Sequence, residues 1–171
     1  MEENVMHPGN RPNWNIRPAT SADVPAIAAI LRGLGWFAHV NDESPARTET
    51  RIAEHLRMCL ADDSHSVLVA EGAKGAVLGG YVAVHWLPYL MLPGSEGYIS
   101  ELFVVESARG AGLGTKLLEA VKDMAIGRGC SRLMLVNRKT RESYKRGFYR
   151  KLGWEERQEF ANFVLSLLGK R

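Results

Sequence analysis

Cysteine and long apolar runs are both scarce in this chain of 171 residues. Its two cysteines, Cys59 and Cys130, stand far apart and form no C-x-x-C pair, which favours buried free thiols over a disulfide or a metal site. No apolar stretch approaches the roughly 20 residues that a membrane span needs. The first twelve residues contain no apolar core of a signal peptide. Together these features predict a cytoplasmic protein without a membrane partner.

The composition is that of a globular protein. Hydrophobic residues make up 46% of the chain and charged residues 24%, and this length suits one domain with a proper core. We predict a flexible N-terminal tail over 1–13 and a single domain over 14–171. The histidines show no metal-ligand spacing with cysteines or carboxylates, so no metal is expected.

Hydrophobic periodicity and turn residues predict an alternating order of strands and helices. The order is strand, two helices, three strands, helix, strand, helix and strand. The predicted strands are 14–18, 66–70, 77–86, 98–105, 132–136 and 160–168, and the predicted helices are 20–34, 45–60, 115–126 and 140–152. An aromatic loop over 35–40 joins the first two helices. This order indicates an α/β (α+β) protein with helices packed on a largely antiparallel sheet.

The most informative segment is a strand that leads through glycines into a helix. The apolar run 102–105 is followed by a short polar turn, by Arg109-Gly-Ala-Gly-Leu-Gly114 and then by an amphipathic helix. Free backbone N–H groups at such a helix N-terminus favour a phosphate. The segment is not a nucleotide P-loop, because Thr115 follows Gly114 where lysine is required, and it lacks the G-x-G-x-x-G spacing.

The pattern R-x-x-G-x-G resembles the acetyl-coenzyme A site of the GNAT superfamily of N-acetyltransferases. Arg109, Gly112 and Gly114 fill its three positions, and the run 101–104, the helix 115–126 and the segment 147–154 resemble the same family in the same order. The resemblance extends over the chain from Ile16. It implies the GNAT fold, a mixed, mostly antiparallel sheet flanked by helices, with acetyl-coenzyme A as co-substrate between splayed fourth and fifth strands.

The coenzyme site is expected on two adjoining segments. Backbone N–H groups of the glycine turn would hold the pyrophosphate, and the resemblance implies that the preceding strand bonds the pantetheine arm through its main chain. The candidate turn residues are Arg109, Gly110, Ala111, Gly112, Leu113, Gly114 and Thr115, and the candidate strand residues are Leu102, Phe103 and Val104. One position departs from the family, since Glu142 stands where an asparagine often precedes the tyrosine by seven residues.

Acetyl transfer to an amine needs a neutral amine, a donor for the oxyanion and a proton for the departing thiolate. Tyr149 lies in a segment that resembles the one whose tyrosine approaches the coenzyme sulfur, so it is the candidate acid; an ordinary tyrosine at a helix end is the alternative. Strand alternation would place Ile99, Glu101 and Phe103 on one face. Glu101 could then bind the cationic amine or relay its proton, or else pair structurally with a lysine or arginine.

The acceptor pocket is expected in the first interhelical loop and the segment before the central strand. An aromatic wall with one carboxylate suits a cationic amine. The candidates beside Glu101 are Trp36, Phe37, His39, Trp86 and Tyr89, each of which could instead serve packing.

A basic cluster, with Glu142 as its only acidic residue, occupies 138–151. It suits the coenzyme phosphates, and a solvated helix face or a nucleic-acid surface are the alternatives; we expect no nucleic acid.

The overall prediction is an N-acetyltransferase acting on a small-molecule or peptide amine by direct attack in a ternary complex, with a non-catalytic coenzyme A-binding module as the alternative. The apolar run 160–168 would allow a homodimer.

Overall fold

The structure, a computed structural model, describes residues 13–73 and 77–167. Residue contacts divide the chain into two compact units, 1–136 and 137–171, and each is described by itself. The predicted tail over 1–13 lies outside the described residues except for Asn13. The single domain over 14–171 stays a prediction.

The first unit is built on a five-stranded sheet in the order β1-β2-β3-β4-β5. Neighbouring strands are antiparallel except for β4 and β5, which run parallel. The strands are β1 (Trp14–Pro18), β2 (His65–Gly72), β3 (Leu78–Leu87), β4 (Glu96–Val104) and β5 (Arg132–Leu135). The predicted first five strands and the mixed, mostly antiparallel sheet are therefore confirmed. Gly72 N–H donates to Val77 C=O at 2.9 Å across the connection between β2 and β3, whose residues 74–76 lie outside the described part.

Helices cover both faces of this sheet. They are α1 (Val24–Leu34), α2 (Ala38–Asp42), α3 (Pro45–Cys59) and α4 (Leu113–Gly127). The buried side chains of α1 and α3 form one cluster with Val67 and Val69 of β2. Leu113 of α4 lies against Gly79 on the opposite face, where a glycine Cβ would be 2.8 Å from its side chain. No helix in the described ranges has the length and apolar character to cross a bilayer.

The aromatic loop predicted over 35–40 is partly helical. Helix α2 begins at Ala38, so the expectation of a plain connection was wrong. The Arg32 guanidinium explains the order of this segment, because it donates to the carbonyls of Val40 at 2.8 Å and Glu43 at 2.9 Å. These hydrogen bonds join residues on either side of the loop, so the helix propensity of the loop residues alone does not predict α2.

A bulge in β4 changes which side chains share a face. Ala83 pairs with Glu101 and the next residue, Val84, pairs with Ile99, so Ser100 is an extra residue in β4. Adjacent residues of β3 face opposite sides of the sheet, and their partners therefore do too. The prediction that Ile99 shares a face with Glu101 was wrong, whereas Glu101 and Phe103 remain on one face.

The second unit differs from its prediction in two places. The helix expected over 140–152 is two short helices, α5 (Glu142–Lys145) and α6 (Phe148–Lys151). Gly147 separates them with a φ of 65°, a left-handed conformation that interrupts a right-handed helix. The strand expected over 160–168 is wrong as far as it is described, since 160–167 form neither strand nor helix; Leu168 lies outside the described residues.

Asp23 provides a test of the fold through its pH dependence. Asp23 is 5% exposed, and its carboxylate accepts two bonds of 2.8 Å from Arg17 and one of 2.7 Å from the N–H of Thr20. The hydrogen bonds from Arg17 hold the pKa of Asp23 below its usual range. Its stabilisation is therefore complete above the unfolded pKa of about 4 and is lost as pH falls through the lowered folded value.

We expect Asp23→Asn to lower the free energy of unfolding at pH 7 by about 1.5–3 kcal/mol, the range for hydrogen bonds to charged groups. The difference from wild type should shrink between pH 5 and 3, measured by urea unfolding at each pH. Asp123→Asn, on the exposed side of α4, is the control and should change little. An equal loss at pH 7 and pH 3 would show that charge is not the cause.

Candidate functional site

The turn between β4 and α4 has the shape of an anion site. A 3-10 turn (Glu106–Ala108) leads from the strand to Gly110 and Gly112, whose φ angles are 78° and 82°. This left-handed backbone is the reason that glycine suits both positions. A Cβ atom on either glycine would meet no heavy atom of the described residues within 4 Å. Space for a ligand therefore adjoins the turn.

The first turn of α4 supplies the donors for that ligand. Lys116 N–H donates to Gly112 C=O at 3.0 Å, so the four preceding N–H groups, from Gly112 to Thr115, come before the intrahelical ladder. In α4, which is described throughout, the first turn carries no acidic side chain. The helix dipole favours an anion there. Buried Ala108 and Leu113 anchor the turn on either side, so its residues fit the coenzyme pyrophosphate.

The side chain of Arg109 ties this turn to neighbouring segments. Its Nε donates to the carbonyl of Val104 at 3.1 Å, and its guanidinium carbon lies 5.9 Å from the centre of the Trp36 ring. Arg109 therefore connects the end of β4 to the loop after α1. This position gives the arginine of the motif a structural role alongside the backbone donors.

Strand β4 continues past its partner β5. Their last pair is Ile99 with Leu135, and β4 then runs on through Leu102 and Phe103 to Val104. On its other side this stretch stays paired with β3. The edge of β4 that faces β5 therefore extends beyond the parallel ladder, and an extended ligand could bond to its main chain as an added strand. The predicted main-chain contacts of Leu102, Phe103 and Val104 would lie there.

Three aromatic rings surround Phe103, and we call Trp36, Phe37, Tyr81 and Phe103 the aromatic group. Their ring centres lie 5.9, 5.8 and 5.7 Å from that of Phe103, each in an edge-to-face arrangement. The ring of His39 lies 6.2 Å from that of Phe37. The structure thus brings the predicted acceptor residues Trp36, Phe37 and His39 together with the central strand.

Glu101 adjoins the aromatic group on the same face of β4. The Tyr81 hydroxyl donates to its Oε2. Burial, together with the charge of Glu101, raises the pKa of Tyr81 well above its usual range, so this phenol remains a donor. Burial and the same charge raise the pKa of the Cys59 thiol in α3. Tyr81 and Cys59 were missed in the sequence analysis, because only the strand register and helix packing place them beside Glu101.

Two predicted acceptor residues lie elsewhere. Trp86 is 7% exposed on the α4 side of β3, where its Nε1 donates to Ser66 Oγ at 3.0 Å and the Arg128 guanidinium lies 4.9 Å from its ring. This position serves the core and does not fit the acceptor role predicted for it. Tyr89 is half-exposed in the loop after β3.

Within the described ranges no three or more histidine, cysteine or carboxylate side chains group closely enough to hold a metal ion. His65 and His85 are cross-strand partners with ring centres 4.4 Å apart. Burial and the neighbouring His65 lower the pKa of His85, whose Nε2 lies 2.9 Å from the hydroxyl of Ser100 in the β4 bulge. This pair is a polar contact of the sheet.

Tyr149 lies in α6 of the second unit. The residue is half-buried. The centre of its ring lies 5.0 Å from that of Phe148 and 6.0 Å from that of Trp154. Burial raises the pKa of its hydroxyl. The phenol is therefore protonated at neutral pH, as a proton donor must be.

Glu156 changes the electrostatics of the basic cluster. Its carboxylate pairs with Lys139 at 2.8 Å and with Arg150, and these hydrogen bonds lower its pKa to about 2. Glu142, at the position of the family asparagine, pairs with Lys145 at 2.7 Å. Glu142 is the only acidic residue within 138–151, and the structure adds Glu156, from outside that segment, as a second carboxylate that opposes the cluster.

Comparison with known proteins agrees with this geometry. An L-methionine sulfoximine/L-methionine sulfone acetyltransferase of Pseudomonas paraeruginosa is 31% identical over 143 residues, which cover 82% of this chain and 80% of that protein. A thialysine N-epsilon-acetyltransferase of Mus musculus is 26% identical over 140 residues, 76% of this chain and 80% of that protein.

The fold is shared with solved structures. A protein described as a transcriptional regulator from Bacillus halodurans C-125 superposes with a TM-score of 0.72 at 23% identity, and the match covers 90% of this chain and all of that chain. The sequence model of the acetyltransferase (GNAT) family matches residues 31–154, which include the glycine turn, the extended β4 edge and Tyr149. With more than half of its residues matched in this way, the chain belongs to the GNAT family of acetyltransferases and is a transferase that moves an acetyl group to an amine.

Proposed function

We propose that this protein acetylates a primary amine that binds as its ammonium ion, loses that proton to Glu101 or through it to water, and then attacks the thioester carbonyl of acetyl-coenzyme A directly in a ternary complex. The observation that carries the proposal is the left-handed glycine turn with open space beside it, directly after a strand whose edge extends past its neighbour. The turn would hold the pyrophosphate through the N–H groups of α4. The main chain of Leu102, Phe103 and Val104 would hold the pantetheine arm.

The acceptor would be recognised by the aromatic group and Glu101. Aromatic faces and one carboxylate together favour an ammonium group. Small-molecule amines come first, because the relatives named above act on thialysine and L-methionine sulfoximine, which both carry amino groups. A peptide amine is the second class. Tyr149 would deliver the proton to the departing thiolate.

The test is a panel of primary amines incubated with the protein and acetyl-coenzyme A, scored by thiol release. We expect at least one cationic amine to give turnover well above the rate with acetyl-coenzyme A alone. Coenzyme binding by calorimetry without turnover on any amine would support the non-catalytic binding module. Failure to bind coenzyme A at all would overturn the proposal.

Glu101→Gln tests the carboxylate with an accepted amine from that panel. If Glu101 binds the ammonium group, the variant should raise KM for the amine about tenfold or more, in line with the loss of a hydrogen bond to a charged group. If it relays the proton, kcat should fall most at low pH. Glu119→Gln, on an exposed position of α4, is the control. Unchanged kinetics would leave Glu101 a structural residue.

The proposal includes a homodimer. The side chains of Phe163, Val164, Leu165 and Leu167 are all more than 80% exposed, and such an apolar segment favours association with another surface. Light scattering at micromolar concentration should give twice the mass of one chain, and Phe163→Asp should reduce it. A monomer under these conditions would contradict the dimer.

Cytoplasmic location is also part of the proposal, and the free thiols of Cys59 and Cys130 are consistent with it.

A further inference from the structure

Tyr81 combines deep burial with a polar contact at the edge of the site. It is 2% exposed in β3 and pairs in register with Phe103. Its ring packs edge-to-face on Phe103, and its hydroxyl donates to Glu101 Oε2. Since a buried phenol needs a partner, and a buried ring cannot turn freely, this bond determines where one carboxylate oxygen lies.

The groups around Glu101 leave its negative charge available. Within the described ranges, Tyr81 of β3 donates to this carboxylate, and Cys59 of α3 lies close enough to feel its charge. Both are neutral at pH 7, because burial and the charge of Glu101 raise the pKa of each. A lysine or arginine in their place would neutralise the carboxylate. A phenol instead stabilises the charged form by a hydrogen bond and adds no charge.

We propose that Tyr81 is a positioning residue that selects a cationic acceptor, by fixing Glu101 Oε2 and leaving Oε1 to accept from the ammonium group of the amine. This inference rests on the proposed function. The hydrocarbon part of the amine would lie against Trp36, Phe37 and Phe103. The site would therefore discriminate an amine from a neutral molecule of the same shape by charge.

The test is Tyr81→Phe, which removes one hydroxyl and keeps the ring. We expect KM for the amine to rise about tenfold, as for loss of a hydrogen bond to a charged group, with KM for acetyl-coenzyme A unchanged. Tyr98→Phe, on the half-buried part of β4, is the matched control.

Competition by two inhibitors distinguishes positioning from simple packing. The cationic amine and its hydroxyl isostere are compared as inhibitors of wild type and variant. Tyr81→Phe should weaken the amine and leave the isostere unchanged, and it should have no further effect in a Glu101→Gln background. Equal weakening of both inhibitors, or additive effects of the two substitutions, would overturn the inference.

Two further results separate this inference from the proposed function. If wild type acetylates an amine and Tyr81→Phe matches it in KM and in its preference for the amine over the isostere, only the role of Tyr81 is refuted. If wild type neither binds coenzyme A nor releases thiol, the proposed function fails and the inference fails with it. If Tyr81→Phe does not fold, Glu101→Gln tests the same pair by changing its carboxylate. The amine and its hydroxyl isostere should then inhibit this variant equally. A retained preference for the amine would refute the inference.

Discussion

Tyr149→Phe should lower kcat by about 10²–10⁴-fold, the usual contribution of a general acid, while KM for acetyl-coenzyme A stays near wild type. The substitution removes one hydroxyl and keeps the ring that contacts Phe148 and Trp154. Burial raises the pKa of this phenol, so it carries its proton at neutral pH and can give it to a thiolate. The measurement is steady-state kinetics with an accepted amine, supported by single-turnover rates.

Tyr144→Phe is the matched control in the same unit. The Tyr144 hydroxyl donates to Glu156 at 3.0 Å, so its loss should affect stability more than chemistry. If Tyr149→Phe keeps nearly full kcat while chemistry limits the rate, this tyrosine is not the acid. Water or the proton released by the amine would then protonate the thiolate.

Gly112→Asp should weaken coenzyme A binding at least tenfold, or about 1.4 kcal/mol. It places a negative charge beside the N–H groups that would hold phosphate. It also puts a side chain at a φ of 82°, which residues other than glycine rarely adopt. The measurement is titration calorimetry with coenzyme A on a variant whose circular dichroism spectrum matches wild type.

Gly129→Asp separates charge at the turn from general strain. Gly129 has a φ of 68°, and its added Cβ would also meet no atom of the described residues within 4 Å. It follows the other end of α4, a helix of 15 residues and about 22 Å. This control should bind coenzyme A as wild type does. If both variants lose the same coenzyme A affinity, or if Gly112→Asp loses none, the phosphate does not bind at this turn.

Local sequence was sufficient for most elements and for the glycine turn. The ranges of β1 to β5 and of α1, α3 and α4 follow from hydrophobic period and end signals within each segment. Gly110 and Gly112 could be recognised because the conformation they allow is a property of the residue itself. By contrast, the single helix expected over 140–152 is divided in two, because one internal glycine, Gly147, interrupts it.

Long-range pairing decided the geometry of the candidate acceptor site. The bulge at Ser100 separates Ile99 from Glu101, and the register that opposes Tyr81 to Phe103 brings a phenol to the carboxylate. Trp86 was predicted beside them, yet it lies on the other face of the same strand. Alternation describes one strand at a time, and it fails wherever an extra residue enters the pairing.

The sequence by itself determined the order of strands and helices and where the glycine turn lies, because these depend on residue types at short spacing, and on these residues the chain resembles the GNAT acetyltransferases. Only the tertiary structure decided which side chains surround the candidate acceptor site, that Tyr81 and Cys59 accompany Glu101, and that Glu156 forms ion pairs with Lys139 and Arg150. Such contacts join residues far apart in the chain. They arise from strand register and packing, which no local pattern specifies.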